Sequence, residues 1–327
     1  MQGLFNMTSD SHLFHSREQL ESDGWTLKGN VFGRALDGKQ EKMLPLYEAK
    51  MIHQFDHRWA TYDGLDSRDV TVHEKRDADF VSKTRYWVSD VDVSAKLEGR
   101  WNSKWLMGWR DIARSTDMRT SIASFLGAGA SPEGGTLLML PSGTAENAAL
   151  LMAAINSFAF DYVARQKVGG THLKFFTMKQ LPVPTPEKFE VRCPWDAESV
   201  WKDWARPRVL ELIYTAWDME PAAMDWLEHG APYTWDPDRR SQLRAELDAS
   251  FFVLFGLQRA DVSYILSTFP IVQRKDEAEF GEFRTKRLIL EAYDAMQRAT
   301  ETGIPYQTKL VPPPGEGRRH SLEKVLA

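Results

Sequence analysis

The periodicity of the apolar residues changes along the chain, and this change limits the fold more than any other feature. In residues 1–130, β-branched and aromatic residues recur at every second position within stretches such as "GWTLKGNVFGRALDG" and "TRYWVSDVDV", which is typical of strands separated by turns. From Thr144 onward the apolar spacing is mostly that of helices. We therefore expect an α+β fold, in which a mixed α/β domain is followed by a mainly helical C-terminal module.

A proline-rich stretch, "LPVPTPEKFEVRCPW", separates these two parts. It has four prolines between Pro182 and Pro194, too many for a helix and typical of an extended connector. Because 327 residues exceed one typical domain, we predict two domains, residues 1–187 and residues 188–327. The C-terminal stretch "VPPPGEGRRHSLEKVLA" favours a poorly ordered end, so we expect a flexible tail from about residue 303.

Two local patterns predict helices. The stretch "TAENAALLMAAINSFAFDYVAR" begins with Thr144, a good N-cap residue, and its apolar residues then fall at helical spacing. Trp101, Trp105 and Trp109 recur every four residues, so a helix would stack them on one face. We expect this tryptophan stripe to face the core and the neighbouring arginines to face solvent.

Charge and cysteine content exclude several classes of protein. The net charge is −5, and residues 1–186 carry 22 basic and 22 acidic residues, so the acidic excess lies in the second part. A single cysteine, Cys193, excludes an intramolecular disulfide and a multi-cysteine zinc site. The chain has no apolar run of membrane-spanning length and no signal-peptide pattern at its start, so we expect a cytoplasmic protein without a membrane partner.

Common catalytic motifs are absent, which leaves one weak catalytic pattern. The sequence has no phosphate-binding G-x-x-x-x-G-K-[ST], no H-E-x-x-H and no G-x-S-x-G. Asp37, Glu48 and Lys50 could together hold Mg²⁺ and polarise a water molecule, as metal-dependent nucleases do. A magnesium-dependent DNA endonuclease is therefore one alternative.

Hydrogen-bond donors cluster in three segments of the first domain, beside aromatic residues or glycines. Such donors suit phosphate oxygens and base edges, and two adjacent glycines let a ligand approach the backbone closely. A purely structural role for the first of these segments remains open. The candidate DNA-binding residues are Lys50, His53, Gln54, His57, Arg58, Arg110, Arg114, Arg119, Arg165, Gln166, Lys167, Gly169, Gly170, Thr171 and Lys174.

Several blocks of the sequence resemble DNA methyltransferases. "KVGGTHLKFFTMKQLPVPTP" resembles the end of a target recognition domain in type I restriction specificity subunits and in Eco57I-like restriction-modification enzymes. "LPLYEAKMIHQFDHRWATY", "WRDIARSTDMRTSIAS" and "AELDASFFVLFGLQRADVSYILSTFPIVQRKDEAEFGEFRTKRLILEAYDA" resemble the C-terminal region of adenine-specific DNA methyltransferases of the Eco57I, BREX and DISARM types. This resemblance spans roughly residues 5–298.

The resemblance implies a DNA-reading role without catalysis in this chain. Such enzymes carry a glycine-containing S-adenosylmethionine motif and an Asn-Pro-Pro-Tyr or Asn-Pro-Pro-Phe motif, and neither occurs here. The resemblance therefore implies that residues 1–187 are a target recognition domain for double-stranded DNA. It implies that S-adenosylmethionine binds a catalytic domain or subunit outside this chain. This chain is then either a split-gene subunit or a fragment. A scaffold of a phage-defence complex is a further alternative.

Overall fold

The structure, a computed structural model, describes residues 3–131 and 135–322 and has an α+β fold, as the periodicity predicts. Its strands are β1 (His15–Ser16), β2 (Thr26–Lys28), β3 (Val31–Leu36), β4 (Lys39–Pro45), β5 (Ala60–Asp63), β6 (Asp66–Asp69), β7 (Tyr86–Ser89), β8 (Trp105–Arg110), β9 (Ala123–Gly127), β10 (Thr136–Met139), β11 (Arg192–Cys193) and β12 (Asp196–Val200). Its α-helices are α1 (Arg17–Ser22), α2 (Val72–Lys75), α3 (Asp90–Leu97), α4 (Ala145–Asn156), α5 (Phe158–Lys167), α6 (Phe175–Met178), α7 (Pro186–Phe189), α8 (Trp201–Ile213), α9 (Glu220–Met224), α10 (Pro237–Leu254), α11 (Arg259–Ser267), α12 (Pro270–Phe280) and α13 (Arg284–Thr302).

The strands β1 to β10 form antiparallel sheets in the first half of the chain, and β11 and β12 pair with each other beyond it. A five-stranded sheet has the order β1-β7-β4-β3-β2, and a three-stranded sheet has the order β10-β8-β9. Asp37 and Gly38 join β3 to β4 with φ angles of 50° and 76°. Positive φ at both central residues is what a two-residue hairpin turn needs, and Asp-Gly is a favoured pair for it. The turn therefore accounts for the presence of aspartate at position 37.

The tryptophan stripe faces the core, but it does not lie on a helix. Trp105 and Trp109 are buried in β8, which lies between β9 and β10. Side chains four residues apart share a face in a strand as well as in a helix, so the spacing alone could not separate the two. Trp101 precedes the strand, and its ring contacts that of Trp105 edge to face at 4.8 Å. The prediction of burial is confirmed and the prediction of a helix is wrong.

The predicted long helix from residue 145 is divided into α4 and α5, which are bent by 64°. Ser157 between them has extended backbone angles, and its Oγ accepts a hydrogen bond from Phe160 N at 3.2 Å. Asn156 is held by β9, because its Oδ1 accepts from Ala123 N at 2.9 Å and its Nδ2 donates to Ala123 O at 3.0 Å. This tertiary clamp and the serine cap together explain the break.

The helical part is close to the prediction, and it shares a core with the sheets. Helices α10, α11 and α13 lie within the stretches whose apolar spacing is helical, and the proline-rich connector contains α7 and β11. One hydrophobic cluster extends from Phe55 and Trp105 through α4 and α5 to α8, α10 and α13. Buried side chains from before and after residue 188 therefore pack together in one core.

The C-terminal segment from residue 303 packs on the helices as far as residue 322. Tyr306 N donates to Trp195 O at 2.9 Å, and Tyr306 Oη donates to Glu246 Oε1 at 3.0 Å. Leu310 is buried, and Arg319 Nη1 donates to Ala231 O at 2.7 Å. These contacts hold the segment at Tyr306, Leu310 and Arg319, whereas Ile304 and Val311 are exposed, and the flexible tail stays a prediction. Residues 323–327 lie outside the described residues.

Candidate nucleic-acid interface

Segment 50–58, the first group of candidate donors, lies mostly inside the protein. Arg58 is 0% exposed. Its Nη1 donates to Asp77 O at 2.8 Å, and its Nη2 donates to Lys75 O at 2.9 Å and to Thr215 O at 3.0 Å. Buried charges are tolerated when polar groups surround them, and these carbonyls do so. Arg58 therefore links three parts of the chain. A DNA-binding side chain has to reach the surface, and Arg58 does not, which corrects the expected position.

The two histidines of this segment are also buried. His57 Nε2 lies 2.8 Å from Asp218 Oδ1, between groups that are far apart in the sequence. The His53 ring stacks on Trp59 with 4.2 Å between ring centroids. Burial, followed by the charge of Arg110, holds the pKa of His53 well below 6.5, so the imidazole is neutral at neutral pH. Both histidines are thus internal groups.

Gln54 and Arg119 belong to one buried polar network. Gln54 Oε1 accepts hydrogen bonds from Arg119 Nη1 at 3.0 Å and from Arg244 Nη2 at 2.7 Å, while Gln54 Nε2 donates to Asn156 O at 3.0 Å. Arg119 Nε donates to Asp161 Oδ2 at 2.6 Å. Arg119 is therefore the interior partner of Asp161, and its role is to join the β9 side of the fold to α5.

Arg110 and Arg165 point inward, although they are near the surface. Arg110 Nε donates to Ile52 O at 2.9 Å. Arg165 Nη2 donates to Met118 O at 2.9 Å, and its guanidinium lies 3.9 Å from the centre of the Phe269 ring. Candidate residues that the structure places inside the protein, or that use their donors on the backbone, are His53, Gln54, His57, Arg58, Arg110, Arg119 and Arg165.

The polar loop after α5 lies at the surface and is supported from below. It pairs with the segment that follows β8, since Ala113 N donates to Thr171 O at 3.0 Å and Leu173 N donates to Asp111 O at 2.7 Å. The indole of Trp109 donates to Leu173 O at 2.8 Å from the core. These two main-chain bonds join residues that are 58 and 62 positions apart in the sequence, and they bring the loop next to residues 112–114.

Asp111 anchors two side chains of this loop. Its carboxylate is buried, with Oδ2 at 2.6 Å from Lys174 Nζ and 3.3 Å from His172 Nδ1. The Lys174 charge is therefore partly compensated. Arg114 and Lys167 are exposed and, within residues 3–131 and 135–322, have no carboxylate within ion-pair distance. These two side chains are the cations of the loop that remain available to an anion.

Neither the packing inside the protein nor the backbone conformation requires glycine at positions 169 and 170. A Cβ built on either residue meets no atom within 4 Å, and neither φ lies in the left-handed region. At Gly108, by contrast, a Cβ would lie 2.6 Å from Thr136 Cγ2. Packing explains the absence of a side chain at Gly108, whereas at Gly169 and Gly170 the open space is on the outside of the protein.

Exposed apolar side chains flank this loop. Ile112 is 53% exposed and Phe176 is 68% exposed, whereas most large apolar side chains nearby are buried. The exposed group of residues forms one continuous patch, which we name the glycine-loop surface. It consists of Ile112, Arg114, Gln166, Lys167, residues 169–172, Lys174 and Phe176.

The three residues of the nuclease alternative, Lys50, Glu48 and Asp37, differ in their exposure and in their hydrogen-bond partners. Lys50 is exposed, with its Nζ 3.5 Å from Ser67 Oγ of the β5–β6 hairpin. The Glu48 carboxylate accepts two hydrogen bonds from Arg85, at 2.8 and 2.6 Å, while Asp37 lies in the β3–β4 turn. Among the described residues, no group of three or more His, Cys, Asp or Glu side chains could hold a metal ion. Asp37 and Glu48 lie beyond opposite ends of β4, and the Glu48 carboxylate is engaged by Arg85.

Comparisons with protein-family models, with curated proteins and with solved structures give no match for this chain. In the part of the chain that the structure describes, no single helix has the length and apolar character needed to cross a membrane; the bent pair α4 and α5 meets that test only together. The assignment of the glycine-loop surface therefore depends on its own chemistry.

Sequence reasoning missed the acidic partners and the Arg244 side chain. Asp111 and Asp161 decide which cations are free, but Lys174 and Arg119 are distant from them in the sequence. Only the pair of Asp161 with Arg165, four residues apart on α5, had a local signal. Arg244 had a usable signal. Ser241, Arg244 and Asp248 follow one another at spacings of three and four on α10, which places polar side chains on one face of a helix whose neighbours are apolar.

Proposed function

We propose that this chain binds double-stranded DNA through the glycine-loop surface. In this proposal it is the sequence-recognition portion of an N6-adenine DNA methyltransferase of a cytoplasmic restriction-modification or phage-defence system. A catalytic domain or subunit outside this chain binds S-adenosylmethionine and methylates the adenine. The main support is the pair of glycines, Gly169 and Gly170, whose open outer side lies beside two uncompensated cations, Arg114 and Lys167.

Each part of the surface has a role that fits duplex DNA. Arg114 and Lys167 suit phosphate oxygens, and the exposed backbone at Gly169 and Gly170 lets a DNA strand approach closely. Side chains that can both donate and accept hydrogen bonds, Gln166 and Thr171, suit base edges, since Gln pairs well with adenine in the major groove. The loop is held by main-chain bonds to residues 111–113, so little order has to be gained on binding.

The apolar residues of the surface supply a second kind of contact. Exposed Ile112 and Phe176 suit the methyl group of thymine, or the face of a base that has left the stack. Nucleotide extrusion is a step that adenine methylation needs. The proposal therefore assigns phosphate binding, base reading and base contact to one surface.

The proposal is tested by measuring affinity for a mixed-sequence duplex as a function of salt. We expect the affinity to fall steeply from about 50 to about 200 mM salt, because each phosphate that a cation neutralises releases a counterion. The double variant Arg114→Gln/Lys167→Gln should reduce the log–log salt slope by about 2 and weaken binding at every salt concentration.

The matched control is Lys28→Gln/Lys42→Gln, which removes two exposed positive charges from the five-stranded sheet. This control should keep the salt slope of the unmodified chain. Equal losses in both double variants would mean that the net charge, and not the glycine-loop surface, determines binding. An affinity that does not vary with salt would favour the scaffold alternative, and methylation of DNA by the purified chain alone would contradict the division of labour.

A further inference from the structure

A second site, separate from the glycine-loop surface, lies between the long C-terminal helices. A cavity of about 550 Å³ is bordered by α10, α12 and α13, and its inner end reaches His53 and Arg119. Pockets of roughly 300–1,000 Å³ are typical for small organic ligands. The volume is therefore sufficient for a small molecule and not only for a few waters.

Arg244 is the polar group at the inner part of this cavity. A guanidinium has five N–H donors, but Arg244 makes one side-chain hydrogen bond within the described part of the chain, to Gln54 Oε1 at 2.7 Å. In the same part of the chain it has no carboxylate within 4.0 Å, whereas Arg119 has Asp161 at 2.6 Å and Arg208 has Glu246 at 2.7 Å. Arg244 therefore makes fewer side-chain hydrogen bonds than the buried arginines Arg58, Arg119 and Arg240, each of which makes at least two.

The charge of Arg244 is only partly balanced by its neighbours. Arg119 shares Gln54 Oε1 with it, so two guanidinium groups lie side by side. Burial, followed by the Arg119 charge, lowers the pKa of Arg244 to about 10, which still leaves it protonated at neutral pH. Asp248 lines the same cavity, and although burial raises its pKa to about 6 it is mostly ionised at neutral pH, so it offsets part of the Arg244 charge. An incoming anion can still use the guanidinium donors that have no acceptor among the described residues.

The acidic groups near the mouth are mostly engaged elsewhere. Asp238 pairs with Arg284 at 2.8 Å, and Asp276 Oδ2 accepts a hydrogen bond from Thr285 N at 2.6 Å. Glu279 and the exposed Lys275 add one charge of each sign to the rim. The rim thus has one more carboxylate than cations, and with Arg119, Arg244 and Asp248 added the lining carries equal numbers of acidic and basic side chains.

The walls of the cavity are apolar on both sides of Arg244. They include Met118, Phe158, Val272, Leu288 and Ile289. Apolar walls around one charged group favour a ligand with a hydrophobic body and one acidic head. A carboxylate or a phosphate monoester has the planar or tetrahedral oxygens that a guanidinium binds with two parallel hydrogen bonds.

We propose that the cavity between α10, α12 and α13 binds a small organic anion, a carboxylate or a phosphate monoester with an apolar body, whose acidic group is held by Arg244. This site is independent of DNA binding by the glycine-loop surface. It gives the helical module a ligand of its own.

Isothermal titration calorimetry with three probes tests the site: phenyl phosphate, benzoate and the neutral benzyl alcohol. We expect at least one of the two anions to bind saturably with one site per chain, and benzyl alcohol to bind at least about tenfold more weakly because it cannot form the charge-assisted pair. The stronger of the two anions then identifies the acidic group. Failure of both anions to saturate at millimolar concentration would overturn the proposal.

The variant Arg244→Gln should weaken the bound anion by at least about tenfold. Its matched control is Arg274→Gln, an exposed arginine on α12 outside the cavity, which should bind within about twofold of the unmodified chain. If Arg244→Gln fails to fold by circular dichroism, the Arg244 Nε–Hε NMR signal of the unmodified chain replaces it and should shift on addition of the anion. Equal anion affinity in Arg244→Gln, or no shift of that signal at saturation, would contradict the assignment.

Discussion

The buried cations around Gln54 and the exposed cations of the glycine-loop surface have the same chemistry in opposite surroundings. Arg58 donates to carbonyls from three parts of the chain, and Arg119 is paired with Asp161. Arg114 and Lys167, in contrast, have no carboxylate within ion-pair distance in the described residues and lie beside open glycines. The first region holds the fold together, and the second is free to bind an external anion.

This difference shows that donor chemistry alone does not locate an interface. What separates the two regions is the supply of acceptors for the side chains: main-chain carbonyls and aspartates in the interior, but no carboxylate within ion-pair distance of the Arg114 and Lys167 side chains in the residues that the structure describes. Asp117 Oδ2 accepts only from the main-chain N of Arg114, at 3.0 Å. Substitutions in the interior should therefore change the free energy of unfolding, while substitutions on the glycine-loop surface should change DNA affinity. The predictions below test that separation.

The largest expected effect is that of Asp161→Ala. Asp161 is 0% exposed, accepts a hydrogen bond from Arg119 Nε at 2.6 Å and lies 3.5 Å from Arg165 Nε. Its removal leaves two arginines without their carboxylate in the interior, which should lower the free energy of unfolding by about 3–5 kcal/mol. Urea denaturation followed by circular dichroism measures this change.

A surface ion pair provides the control for Asp161→Ala. Arg17 and Glu21 are four residues apart on α1, and both side chains are nearly half exposed. Glu21→Ala should lower the free energy of unfolding by no more than about 0.5 kcal/mol. If Asp161→Ala cost as little as Glu21→Ala, the interior cations would not depend on their partners and the comparison would fail.

A smaller effect is expected from Asp248→Asn, and it should depend on pH. Burial raises the pKa of Asp248 from 3.8 to about 6, while Arg119, the Phe158 N–H and Arg244 oppose the rise and Asp161 adds to it. The folded state therefore holds a proton that the unfolded state releases between about pH 4 and 6. The contribution of this group to the free energy of unfolding decreases as pH rises through that window and is constant above it.

Asn cannot titrate, and its Oδ1 can still accept the hydrogen bond that Phe158 N donates to Asp248 at 2.7 Å. Asp248→Asn should thus be more stable than the unmodified chain above pH 6, by about 1–3 kcal/mol, and should lose this advantage near pH 4. Denaturation curves for both chains at pH 4, 5, 6 and 8 give the difference directly. A difference that does not vary with pH would mean that Asp248 is ionised at all of these values.

Much of the helical part could be predicted because its signals are local. Asp236 caps α10 by accepting from Asp238 N and Arg239 N, and Pro237 follows at the first position, as the sequence suggests. The Asp37-Gly38 turn also had a local signal that the nuclease interpretation overlooked. In these places the residues that determine the structure are next to one another.

Burial of the donors could not be predicted, because it depends on distant partners. Arg58 and Thr215 are 157 positions apart, and Arg119 and Asp161 are 42 apart. The strand β8 is similar: its tryptophans would share a face in a helix or a strand, and only pairing with β9 and β10 decides between them. The exposed part of the candidate site was predictable from glycines and cations, whereas its boundary was set by tertiary contacts.

The smallest change in stability should come from Gly169→Ala, and its contrast with Gly108→Ala is the finest test of the two regions. Because a Cβ at Gly169 meets nothing within 4 Å at an ordinary φ, alanine should change the free energy of unfolding by less than about 1 kcal/mol, with a slight gain from the stiffer unfolded chain. At Gly108 the new methyl group would lie 2.9 Å from Leu137 O inside the sheet, so that variant should lose about 1–3 kcal/mol. DNA affinity should show the reverse order, since only Gly169→Ala adds a side chain where a DNA strand is proposed to approach. Stability and affinity that changed together in both variants would show that the glycine-loop surface is held by the same packing as the interior.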